Sequence, residues 1–106
     1  MNYSYELKNN ALEVKLFGEI DHHNAKQARE GIDGLIESTA PKKLFLDLSA
    51  ITFCDSSGLG LVMGRMKKAS LYGTALIIRD PSPAVSRILD IAGMDKLLKI
   101  ERTQKI

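Results

Sequence analysis

The chain has 106 residues, 44% apolar and 26% charged, with a formal net charge of +2. That length suits one domain, expected over residues 1–106, with an ordinary core. Several classes drop out at once: scattered basic residues without tryptophan argue against nucleic acid, and the single Cys54 excludes an internal disulfide or a multi-cysteine metal site. No apolar run approaches the ~20 residues of a membrane span. The N-terminus has neither the basic start nor the apolar stretch of a signal peptide, so a cytoplasmic protein is expected.

Tyr3, Tyr5 and Leu7 alternate with polar residues, as do Leu12, Val14 and Leu16. Asn9-Asn10 between them is a turn signal, because Asn tolerates positive φ. The pattern predicts an N-terminal β-hairpin with one buried face, its second strand ending at Gly18. A helix follows, capped by Asp21 or Asn24. Ala25, Ala28, Ile32, Leu35 and Ile36 form its inner face, and Lys26, Gln27, Arg29, Glu30 and Asp33 its outer face. It stops near Ser38 to Pro41.

Leu44 to Leu48 is nearly continuous in apolar character, which predicts a central strand covered on both faces. Ser49 to Cys54 leads into a loop, Asp55 to Gly60. The next helix, roughly Ser57 to Tyr72, places Leu59, Val62, Met63, Met66 and Ala69 on one side, with Gly73 at its end. Leu76 to Ile78 is a fourth strand. Ser82 caps a third helix with Pro83 at its first position. Val85, Ile88, Leu89 and Ala92 face inward there, and Gly93 closes it. Leu97 to Ile100 reads as a short last strand and Glu101 to Ile106 as a frayed tail. A hairpin followed by β-α alternation predicts an α/β fold, a mixed sheet with helices packed on it.

The chemistry concentrates in Asp55-Ser56-Ser57-Gly58-Leu59-Gly60, at a helix N-terminus that carries unpaired N–H groups and positive dipole charge. A cap alone would explain Asp55 and the serines. It would not explain Gly58 and Gly60, each worth ~1 kcal/mol against a helix interior. They suggest close backbone approach by a partner. A hydrolytic serine lacks the Gly-x-Ser-x-Gly elbow and an organised base, since the only histidines are the adjacent His22 and His23. Nucleotide-loop motifs are absent. Neighbouring helical side chains such as Asp21, His22 and His23 diverge by about 100° and make a poor metal site.

The stretch Phe53-Cys54-Asp55-Ser56-Ser57-Gly58-Leu59-Gly60 resembles the phosphorylation loop of STAS-domain anti-sigma factor antagonists. Gly18-Glu19-Ile20-Asp21-His22-His23 resembles the second-strand exit of the sporulation type, which controls a forespore sigma factor. Leu44-Phe45-Leu46-Asp47-Leu48 fits its central strand. Gly64-Arg65 and Ser82-Pro83-Ala84-Val85-Ser86-Arg87 match later helices. Cys54 stands where Met is common, and the tail is shorter.

The resemblance implies a STAS fold, a mixed four- to five-stranded sheet with an N-terminal hairpin. It implies a binding module without enzyme activity or cofactor. In its unphosphorylated form such a protein binds an anti-sigma factor, itself a GHKL-type serine kinase with bound nucleotide, and releases the sigma factor. Phosphorylation of Ser56 switches it off, and a PP2C-type phosphatase restores it. The implied partner surface is Asp21, Asp55, Ser56, Ser57, Gly58, Leu59 and Gly60. Helical periodicity instead nominates Leu61 as the exposed apolar residue, with Leu59 in the core stripe. Two rivals are a STAS adaptor in another stress-signalling switch and a serine hydrolase.

Overall fold

The structure is a computed structural model and describes residues 2–103. Its elements follow the chain as β1 (Asn2–Lys8), β2 (Ala11–Ile20), α1 (His22–Thr39), β3 (Lys43–Cys54), α2 (Ser57–Leu71), β4 (Ala75–Arg79), α3 (Pro83–Ile91), a 3-10 turn (Met94–Lys96) and β5 (Lys99–Glu101). The five strands lie in sequence order. β1 and β2 are antiparallel, and the remaining neighbours are parallel. Asn9 and Asn10 both take positive φ, so the predicted turn forms as two left-handed residues.

Strand order decides where the core lies. Each parallel crossover steps one strand in the same direction, and right-handed crossovers then place every helix on one side. Leu12, Val14, Leu16, Leu44, Leu46 and Leu48 face that side and join one cluster with Ala28, Ile32 and Ile36 of α1, Leu61 and Val62 of α2, and Val85 and Leu89 of α3. The expectation that β3 is covered on both faces is therefore corrected. Phe45 and Asp47 alternate with the buried leucines and are only half-buried. On their face Arg79 stacks over Phe45 at 4.2 Å and pairs with Glu13 at 2.6 Å and Glu101 at 3.0 Å.

Only the second strand of the hairpin buries its apolar face. Tyr3, Tyr5 and Leu7 lie opposite Leu16, Val14 and Leu12 on the helix side, yet all three are exposed. β1 is the edge strand, and every residue of it is exposed. Tyr3 reaches back to α1, where a Cβ at Gly31 would overlap its ring and hydroxyl. That glycine, unfavourable for a helix by propensity alone, makes room for the tyrosine.

Three further expectations shift. Gly18 does not end β2; it takes φ +96° beside a register shift, and the strand continues to Ile20. β3 likewise runs six residues beyond Leu48. In α3, Ser82 accepts the Val85 N–H at 3.4 Å as predicted, but Ala92 lies past the helix end and is exposed. Glu101 ends β5 and pairs with Arg79 of β4, and the Thr103 N–H donates to the Asp80 carboxylate at 2.6 Å. The rest of the expected frayed tail, Gln104 to Ile106, lies outside the described residues.

Candidate functional site

The lengthened β2 and β3 end together. Ile20 and Cys54 are register partners on adjacent parallel strands, and the Asp55 N–H donates to the Ile20 carbonyl at 3.1 Å. The two loops that leave these strands therefore emerge side by side at the strand C-terminal ends. Each opens with an aspartate that starts a helix. Asp21 accepts the Asn24 N–H at 2.8 Å and caps α1. Asn24, the other predicted cap, instead donates its side-chain amide to the Glu19 carbonyl at 3.3 Å.

In the second loop Asp55 accepts the Ser57 N–H at 2.8 Å. Ser56 occupies the N-cap position with φ −62° and ψ −17°, and its side chain makes no capping hydrogen bond. It is exposed. Asp55 thus does the capping that a serine would otherwise do, and the Ser56 hydroxyl is left presented at the helix N-terminus. The first N–H groups of α2 are already used, Ser57 by the Asp55 carboxylate, Gly58 by the Asp55 carbonyl at 3.0 Å and Leu59 by the Ser56 carbonyl at 3.1 Å, so it is the helix dipole that favours a negative group there. Ser57 is half-buried.

The two glycines differ. Gly58 is buried, and a Cβ on it would overlap Cys54 Sγ and touch Ile20. Its role is internal packing, which corrects the reading that both glycines admit a partner. Gly60 is exposed, and a Cβ on it would meet nothing. Cys54 is half-buried; burial first, then the Asp55 charge, push its thiol pKa up.

Leu61 is 3% exposed, so the periodicity reading that put it on the surface is overturned. Leu59 is the half-exposed one, and Met63, expected in the core stripe, is 48% exposed. The reason is Arg65. Counting apolar residues alone treats position 65 as outward, but Arg65 is buried at 4% exposure. Its Nε lies 2.7 Å from Asp33 Oδ1 on α1, and its Nη1 donates to the Leu61 carbonyl at 3.3 Å. The ion pair is close but poorly aligned for a hydrogen bond. Burial draws the Arg65 pKa down, Asp33 pulls it back up, and the nearby Arg29 charge lowers it again.

Between the first turns of α1 and α2 lies a cleft of about 340 Å³, lined by His22, Lys26, Arg29, Ser57 and Gly60 among others. The sequence assigned Lys26 and Arg29 only to an outer helix face. His22 shares this cleft with Ser57, but neither histidine hydrogen-bonds to Ser56 or Ser57 among the described residues. A hydrolase would require such a base. Among the described residues no three His, Cys, Asp or Glu side chains group as a metal site, and no helix is long and apolar enough to cross a membrane.

Five strands in sequence order with a serine loop at the β3–α2 junction define a particular class of α/β domain. Residues 2–105 match the STAS domain, and the chain belongs to that family. An anti-sigma F factor antagonist of Paenibacillus polymyxa is 35% identical over 102 residues, 94% of this chain and 87% of that protein. The unphosphorylated form of the anti-sigma factor antagonist SpoIIAA has TM-score 0.82 at 28% identity, covering 98% of this chain and 90% of the other. The phosphorylated form of the Bacillus cell fate determinant SpoIIAA has TM-score 0.73 at 28% identity, covering 98% and 93%. The mixed sheet and the family resemblance are both borne out.

Proposed function

We propose that this chain is an anti-sigma factor antagonist working as a phosphorylation-controlled partner switch. Unphosphorylated, it binds an anti-sigma factor that is also a GHKL-type, nucleotide-bound serine kinase, and the sigma factor is released. The kinase phosphorylates Ser56 and ends the interaction, and a PP2C-type phosphatase restores it. The partner surface comprises Asp21, Asp55, Ser56, Ser57, Leu59 and Gly60, with Gly58 supporting it from within.

One observation carries this reading: Ser56 is exposed at the N-terminus of α2 while Asp55 supplies the capping bond. The hydroxyl can be modified without loss of a structural bond. The relatives named above, an anti-sigma F factor antagonist and structures of SpoIIAA in unphosphorylated and phosphorylated forms, support it.

The switch then follows from electrostatics. Phosphorylation adds about −1.5 to −2 charges. In the free chain the α2 terminus favours such charge by ~0.3–2 kcal/mol. In a tight interface the phosphate loses its water, which costs several kcal/mol when unpaired. A difference of ~4 kcal/mol weakens binding about a thousandfold. No change of fold is required.

The test is incubation with the anti-sigma factor kinase and ATP, then mass spectrometry of the loop peptide. Phosphate is expected on Ser56; phosphate on Ser57 alone would overturn the site. Ser56→Ala should bind the kinase constitutively and Ser56→Glu poorly. Equal binding by both would sink the switch.

A further inference from the structure

The cleft beside the serine loop is cationic for a structural reason. Arg29 on α1 has Asp33 four residues on, its natural helical ion partner. Arg65 takes that carboxylate instead, at 2.7 Å. Lys26 has Glu30 at the same spacing, yet they form no ion pair. Both cations line the cleft without an ion-pair partner among the described residues. Asp21 and Asp55 keep their charges but accept N–H groups of their own loops, from Asn24 and Ser57, and neither lines the cleft. The charged side chains that line the cleft are therefore Lys26 and Arg29 alone, next to Ser57 and Gly60.

We propose that Lys26 and Arg29 form a docking subsite for an acidic segment of the protein partner that reads Ser56, and that they determine which partner is accepted. This rests on the partner-switch reading above. The occupant is inferred from charge complementarity and from continuity. The cleft shares Ser57 and Gly60 with the loop where the kinase must approach, so a protein engaged on Ser56 lies against these cations. Like charge in a competing partner would be rejected at the same place, which makes the pair a means of discrimination. Such rim charges act mainly on encounter, through an attraction that salt screens over about 8–10 Å.

The experiment measures association of the full chain with the anti-sigma factor kinase by surface plasmon resonance at low and high salt. Lys26→Glu with Arg29→Glu should slow association about tenfold or more at low salt, with the loss shrinking as salt rises. Lys42→Glu with Lys43→Glu changes formal charge by the same amount at the N-terminal end of β3 and should leave affinity within about twofold. Circular dichroism melting checks that both variants fold. If the unmodified chain fails to bind the kinase, the partner-switch reading fails. If it binds and the Lys26/Arg29 variant binds as fast, or both reversals weaken binding equally, the docking subsite is overturned. Loss of inorganic phosphate or ATP binding in the Lys26/Arg29 variant, with kinase association unchanged, would make the cleft a small-anion site and also overturn it.

Discussion

Truncating Asp33 to Ala strands a cation between α1 and α2. Arg65 is 4% exposed, so the guanidinium cannot recover its water without unpacking the helix. The carboxylate 2.7 Å away offsets that burial, and the nearby Arg29 charge opposes it. Removing one member of a buried pair costs about 3–5 kcal/mol. The Asp33 side chain keeps 25% of its exposure, so water screens part of the interaction and the lower end, about 3 kcal/mol, is expected. At ~4–8 °C per kcal/mol for a domain near this size, that lowers the melting temperature by roughly 12–24 °C. Adding Arg65→Met removes the stranded charge and should recover most of the loss. Urea unfolding of the parent chain, both single variants and the double variant gives the coupling, expected at ~2 kcal/mol or more in favour of the double variant. A loss below ~1 kcal/mol for Asp33→Ala, or simple additivity, would refute the claim that this pair fastens α1 to α2.

Gly34 is exposed within α1 and a Cβ there meets nothing, so Gly34→Ala should stabilise the chain by ~0.5–1 kcal/mol in thermal unfolding. Gly58→Ala should destabilise the parent chain, because the new methyl overlaps Cys54 Sγ, and should do less harm in a Cys54→Ala background. An equal effect in both backgrounds would show that the sulfur is not the obstacle. For Cys54, burial and Asp55 raise the thiol pKa above its ordinary 9.0, so the folded chain keeps a proton that the unfolded chain loses. The stability tied to this group is complete below pH 9.0 and declines as pH rises from there toward the folded value. Cys54→Ala should flatten that alkaline slope in urea midpoints, and an unchanged slope would reject the assignment.

Local backbone chemistry was legible in the sequence; the choice of faces was not. Asn9-Asn10, the α1 cap and the Ser82-Pro83 helix start depend on residues within four positions; the first and last formed as read, and of the two candidate caps the structure takes Asp21 and not Asn24. Burial depends on what lies across the fold. Tyr5 alternates like a core residue but sits on the edge strand, at 58% exposure. Arg65 reads as a surface residue until Asp33, 32 positions earlier, supplies its counter-charge. Counting it as outward shifts the α2 stripe to one side: Leu61 is wrongly exposed and Met63 wrongly buried, while Val62 and Ala69 are core as read and Leu59 and Met66 pack against it. The serine loop itself was found by motif, yet its position beside Asp21 required β2 and β3 to run on to Ile20 and Cys54, past a Gly18 that looked like a terminator.

Gly58 and Gly60 carry this lesson into the site. In sequence they are equivalent, two helix-weakening residues in one turn. In space Gly58 is closed by Cys54 and Ile20, and Gly60 opens onto the cleft. Only Gly60 can owe its presence to an approaching partner, and one substitution separates that from chance. Gly60→Ala meets no atom, so it should raise stability by ~0.5–1 kcal/mol through helix propensity alone. If the kinase surface comes close there, the same methyl should weaken kinase binding in calorimetric titration. A variant that is more stable and binds equally well would remove Gly60 from the interface and leave Asp21, Asp55, Ser56, Ser57, Leu59 and the cations across the cleft to define it.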